Sequence, residues 1–189
     1  MIDSRMNWQP HVDGLAKRLR SSSAALTKIK NMVPFKTIKI IYHALIESLI
    51  KYGITSWGRE NKNNMEKIQK IQDRVIKNIM TNKQNKKYNK INQKYEFTNL
   101  LTVDKLLMYK TIIENYQKYT SKIDSNISNT YSFRKKSATI PLTYNKYGDR
   151  TDNNFIQKTF NLVPNNLRTI KSKSKLKTEI KLFLMKNSL

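Results

Sequence analysis

Between Ile38 and Tyr52, apolar residues return at three- and four-residue intervals. Ile38, Ile41, Tyr42, Leu45, Leu49 and Tyr52 draw one stripe along a helix. A strand would alternate with period two, so this stretch commits the chain to helical packing. Pro34 stands just before it, where a preset φ suits the first turn and no needed donor is lost. Gly53 follows, the residue type that best accepts the left-handed cap of a helix. Beyond it Ile54, Ser56 and Gly58 alternate with Thr55 and Trp57, which predicts a short extended turn returning Trp57 to the helix.

The same period recurs elsewhere. Val12–Met32 carries Leu15, Leu19, Leu26, Ile29 and Val33 on one face, thinned in the middle by Ser22 and Ser23. Lys17, Arg18, Arg20, Lys28 and Lys30 take its outer surfaces, and Gly14 weakens its first turn by ~1 kcal/mol relative to alanine. Asn64–Thr81, capped by Asn63 or Asn64, sets Ile68, Ile71, Val75, Ile76 and Ile79 against Lys67, Lys70, Arg74 and Lys77. Thr102–Tyr119 aligns Val103, Leu106, Tyr109, Ile113 and Tyr116, with Leu107 and Ile112 at the margins. Ser174–Lys186 presents Leu176, Ile180, Phe183 and Leu184.

The expected fold is all-α: a small antiparallel bundle of three to four helices over residues 1–119, a flexible polar linker over 120–154, and a basic helical tail over 155–189. Asn82–Phe97, rich in Lys and Asn, reads as a flexible solvated connector. Its basic residues are interleaved with Tyr88 and Tyr95, a pattern that can also bind single strands by stacking.

Net charge is +24, with 37 basic and 13 acidic residues. Such an excess points to a polyanionic partner. A compositional reading competes, because Lys outnumbers Arg 29 to 8 and Asn occurs 21 times, as AT-rich codons would produce. The charge is spread along the chain with no dedicated basic arm, so charge alone does not choose between the two.

Chemistry is bounded mainly by what is missing. There is no cysteine, hence no disulfide and no thiolate metal site, which suits a reducing intracellular compartment, nucleus or cytoplasm. His11 and His43 are the only histidines, too few for a histidine metal site. The aspartates are dispersed, with no adjacent pair, and four glycines form no phosphate-cradling loop. The most apolar run, Ile38–Ile50, is broken by Lys39, His43 and Glu47, so no membrane segment is expected. No catalytic residue, metal or cofactor is assigned.

A set of ordered motifs adds a more specific reading. Tyr–x–x–Leu–Ile–x–Ser–x–Ile–x–Tyr–Gly–x–x–x–Trp–Gly runs from Tyr42 to Gly58. Ile2, Asp3, Trp8 and His11 precede it, followed by LAKRLRSSSAALTKIKNMVP over 15–34. Gln72 and Arg74 lie within 67–76; further on come Leu100–Leu107, the Gly148–x–Arg150 element, and Phe160–Asn161–Leu162–Val163–Pro164. Together these resemble the region C-terminal to the polymerase domain in reverse transcriptases of jockey-like non-LTR retrotransposons. Phe160 and Val163 depart from the Trp and Leu of that pattern, and the Leu–Gly that precedes Ile2–Asp3 in the family is missing, so the resemblance implies a fragment of a longer reading frame.

The resemblance implies a helical thumb and C-terminal extension, without the paired palm aspartates that hold two metal ions in such polymerases. It implies no catalysis by this chain alone. The implied partners are RNA, DNA or an RNA–DNA hybrid, gripped through phosphates, and the polymerase palm of the parent chain. By helical facing and the family role, Lys17, Arg18, Arg20, Lys28, Lys67, Lys70, Arg74 and Lys77 would make sequence-independent, salt-weakened backbone contacts. The alternative is a decayed element remnant, or a helical protein-interaction module with no nucleic-acid role.

Overall fold

The apolar stripe that follows Pro34 is bent into register by a π turn. A computed structural model of the chain describes residues 8–59, 61–126, 140, 152–170 and 172–187, and among these there is no strand. The fold is all-α, as expected. Helix α1 spans Gln9–Ile29 with Pro10 in its first turn. Helix α2, Phe35–Tyr42, starts after an extended Pro34 and continues through the π turn His43–Glu47 into α3, Ser48–Lys51. The buried apolar residues along this segment are Ile38, Tyr42, Ile46 and Ile50, with Ile54 and Trp57 beyond it.

Steps of four drift by about 40° each on a regular α-helix. The wider π turn absorbs that drift and keeps the four-residue series on one face. This corrects the predicted stripe: Leu45 and Tyr52 are 41% and 76% exposed, and Ile41 and Leu49 are only half-buried. The segment after Gly53 is also corrected. Gly53 adopts φ 63°, as its cap role requires, but Ile54–Trp57 forms a helical turn, α4, instead of an extended one. Trp57 is fully buried and its indole N–H donates to the Tyr52 carbonyl at 3.1 Å.

Helix α5, Lys62–Ile79, is capped earlier than predicted, at Asn61: its side chain accepts the Asn63 N–H at 2.9 Å, while Asn64 is buried. The solvated connector predicted for 82–97 is instead two short helices, α6 Asn82–Lys87 and α7 Ile91–Thr98. A capping box between Thr81 and Gln84 starts the first, and Asn99 at φ 62° closes the second. Lys94, Tyr95 and Thr98 of α7 are buried.

Helix α8 spans Val103–Asn126, so the beginning of the predicted linker continues a helix. Helix α9, Asp152–Leu162, takes up its end. Most of the predicted linker, the Gly148–x–Arg150 element, Ile2 and Asp3 lie outside the described residues. The chain divides into two compact units, Met1–Leu107 and Met108–Leu189, with the boundary inside α8.

In the first unit, α1 lies on α5 and on the segment from α2 to α3, and α5 also meets α7. Lys67 pairs with Asp13 at one end of α1 and α5, and Lys30 Nζ donates to the Asn78 carbonyl (2.9 Å) at the other. The two helices therefore run in the same direction, which is possible because the α2–α3 segment carries the chain back between them. Beneath them, Gln72 Nε2 donates to the Tyr42 hydroxyl (2.8 Å) and the Leu101 carbonyl (2.9 Å), and its Oε1 accepts from Tyr95 (2.9 Å). Gln69 adds a second amide, accepting the Val103 N–H at 2.8 Å and donating to Tyr95 at 2.6 Å. The amide groups of one helix face thus tie α2, α7 and the start of α8 to α5.

The second unit holds the rest of α8, α9, α10 (Asn165–Arg168) and α11 (Lys173–Lys186). Arg168 closes the end of α9: Nε donates to the Val163 carbonyl (2.7 Å), Nη2 to the Asn161 carbonyl (3.0 Å), and the guanidinium lies 5.2 Å from the Phe160 ring centre. These are carbonyls that a helix end leaves without partners. Ser172 caps α11, which buries Leu176, Ile180 and Leu184; Phe183 is half-buried.

Candidate nucleic-acid interface

At about 100° per residue, the buried series Val12, Leu15, Ala16, Leu19, Ser23 and Leu26 fixes which way α1 faces. Arg20, Ala24, Thr27 and Lys28 then fall on one flank, with Asp13 and Lys17 one to two turns before them. On α5 the buried Ile68, Gln72, Val75 and Ile79 leave Lys67, Ile71, Arg74 and Asn78 on the flank turned to α1. The two flanks enclose a groove of about 580 Å³ lined by Arg20, Ser23, Ala24, Thr27, Lys28, Ile71, Arg74 and Asn78. No carboxylate lines it. Lys70 and Lys77 stand exposed on the outer ridge of α5, next to Arg74 in helical projection.

Three of the eight predicted contact residues, Arg20, Lys28 and Arg74, therefore line one groove, and Lys17, Lys70 and Lys77 lie on its borders. Two differ. Lys67 is hydrogen-bonded to Asp13, which also accepts from Gln9 Nε2 at 3.2 Å. The Lys67 ammonium holds the Asp13 carboxyl below the usual carboxylate range, so the charge of Lys67 is largely matched. Arg18 is two residues, about 200°, from Arg20 and projects from the opposite flank of α1. There it adds to the environment of His11, whose pKa is lowered first by burial and then by nearby positive charge, that of Arg18 included.

The polar floor of the groove was not marked as functional by the sequence. Ser23 is buried beneath it, and the Thr27 hydroxyl donates to the Ser23 carbonyl at 2.9 Å. The serines that thin the apolar face of α1 are the one local signal for it, since they replace apolar bulk with groups that tolerate water. Asn78 contributes through α5 only because α1 and α5 run side by side.

The chain matches no family model, no curated protein and no solved structure. The chemistry of the groove must stand on its own residues. Two guanidinium groups and an ammonium converge without an acid, an arrangement suited to phosphate oxygens. Among the described residues no group of three or more His, Asp or Glu side chains could hold a metal ion. Among them too, no helix is long and apolar enough to cross a membrane.

A second charged cluster lies on the π turn. Glu47 is buried and accepts from His43 Nδ1 at 2.5 Å and from Lys51. Burial alone would raise its pKa, but the hydrogen bonds and charges of His43 and Lys51 outweigh burial and hold the carboxyl at about 2. His43 and Lys51 stand four residues before and four after Glu47, about one helical turn to either side, which brings both to the carboxylate.

Proposed function

We propose that this chain is a non-catalytic, backbone-binding helical part of an RNA-directed DNA polymerase of the non-LTR retrotransposon type. The observation that carries the reading is the acid-free groove between α1 and α5, lined by Arg20, Lys28 and Arg74. A duplex offers one phosphate every few ångströms along a groove edge, and parallel helices bearing cations at three- and four-residue spacing can follow it. The ordered resemblance of nearly the whole chain, from Ile2 to Lys186, to the thumb and C-terminal extension of jockey-like reverse transcriptases supplies the polymerase context. Sequence-independent grip is the expected mode, because cations spaced along two helices meet phosphate oxygens of any sequence.

The test is the salt dependence of duplex binding by the full chain, with and without the triple substitution Arg20→Ala, Lys28→Ala, Arg74→Ala. If each residue neutralises one phosphate, the slope of log affinity against log salt falls in magnitude by about 2–3. An unchanged slope with retained helicity would remove the groove from nucleic-acid binding.

One observation favours a protein partner as well. Met32, Ile40, Leu45 and Tyr52 are exposed large apolar side chains, all within Met32–Tyr52. Exposed apolar side chains of this kind suit docking of another protein segment, and in the polymerase reading its occupant is the palm.

A further inference from the structure

Three aromatic side chains from separate elements form a stacked row on the first unit. Phe97 of α7 has its ring centre 5.7 Å from Phe35, the first residue of α2, and 4.6 Å from Tyr88, which follows α6; both pairs are tilted by 26°. All three are half-buried. The core does not need them for its polar network, which runs through Tyr42 and Tyr95.

Lysines frame the row. Lys39 Nζ lies 5.9 Å from the Phe35 ring centre and Lys87 Nζ 5.6 Å from that of Tyr88. Lys36, Lys86 and Lys90 are exposed and stand one or two residues from a ring in the chain; Glu96, beside Phe97, is the one carboxylate so placed. Near-parallel, half-buried rings bordered by ammonium groups suit unpaired bases. Every base has a π face, and the adjoining phosphates need cations. The cations that now lie over the outer rings would be free to move to those phosphates as bases take their place.

We propose that Phe35, Tyr88 and Phe97 are a stacking platform for the unpaired bases of a single nucleic-acid strand, with Lys36, Lys39, Lys86 and Lys87 binding its phosphates. The site is built from different residues than the α1–α5 groove and does not depend on the polymerase reading. It gives the chain a second mode, with preference for single strands.

The experiment measures binding of fluorescein-labelled oligothymidylate, oligouridylate and a duplex to the full chain at fixed salt. Tyr88→Leu, which keeps apolar bulk and removes the π face, should weaken both single strands about tenfold and leave the duplex unchanged. Tyr88→Trp should restore single-strand binding. Single-strand affinity that survives Tyr88→Leu overturns the platform, as does equal loss on the duplex or failure of Tyr88→Trp to restore binding. If Tyr88→Leu loses helicity, Phe35→Leu is read in its place by the same criteria. The groove triple variant separates the two sites: it should reduce duplex binding while the dependence of single-strand binding on the Tyr88 ring persists.

Discussion

Gln72 and Tyr42 are joined by a buried hydrogen bond of 2.8 Å from the amide nitrogen to the phenolic oxygen, and neither side chain reaches solvent. That bond connects the segment before the π turn to the middle of α5. The same amide group is satisfied on its other hydrogen by Leu101 and on its oxygen by Tyr95. Its position in the interior, with every bonding group used, makes Gln72 the polar centre of the first unit.

Gln72→Leu keeps similar bulk but leaves the Tyr42 hydroxyl, the Leu101 carbonyl and the Tyr95 hydroxyl each short of one partner. The expected loss of stability is about 2–4 kcal/mol, read from urea unfolding of the two proteins. A loss under about 1 kcal/mol would mean that these groups find other partners cheaply.

Glu47 sets an acid limit on stability. Its folded pKa, about 2, lies below its ordinary value of 4.5, so the stabilisation is complete above pH 4.5 and is lost as pH falls toward 2. The protein should show a melting temperature that drops through this window more steeply than that of Glu47→Gln. Parallel pH profiles for the two proteins would show that the His43–Glu47–Lys51 cluster contributes nothing there.

The two glycines that bracket α4 should respond unequally to alanine. At Gly53 a Cβ would meet only Trp57 Cδ1 at 3.7 Å, so the cost is the positive φ, about 1 kcal/mol. At Gly58 a Cβ would sit 2.6 Å from the Ile54 carbonyl oxygen and 3.3 Å from Met65 Sδ. Gly58→Ala should therefore cost more, about 2–3 kcal/mol, because backbone must shift. Thermal unfolding of both variants gives the order; the reverse order would contradict this packing.

Arg18 and Arg74 are both exposed arginines on basic helices, yet they project differently. Arg74→Ala should lower the salt slope of duplex binding by about 1, and Arg18→Ala should leave it unchanged. Equal effects would indicate diffuse attraction by the whole basic surface instead of a groove.

Much of the helical content was legible because periodicity is a local signal. The α1 face, the Ile68–Ile79 face of α5, the left-handed Gly53 and the Leu176–Ile180–Leu184 face of α11 all follow from residue spacing. The two short helices α6 and α7 were not legible. They lack an apolar period, and α7 is held by long-range contacts, Tyr95 bonded to Gln69 and Gln72 and Phe97 stacked on Phe35. Of the basic residues, the sequence placed all eight on outer helix surfaces without saying which flank meets which helix.

By itself the sequence determined that this protein is helical, where most of its long helices lie, and that cations outnumber acids on their outer faces. Those properties depend on neighbours three or four positions apart. Tertiary structure decided the phase of the second helical segment. Ile41–Leu45–Leu49 and Ile38–Tyr42–Ile46–Ile50 are both apolar series, and only packing with a π turn buries the second. It also decided that Arg20, Lys28 and Arg74 share a groove while Arg18 faces away and Lys67 is paired with Asp13. Phe35, Tyr88 and Phe97 became one stacked row in the same way. Such juxtapositions join residues tens of positions apart, and their energy comes from surfaces that meet only once the helices have packed.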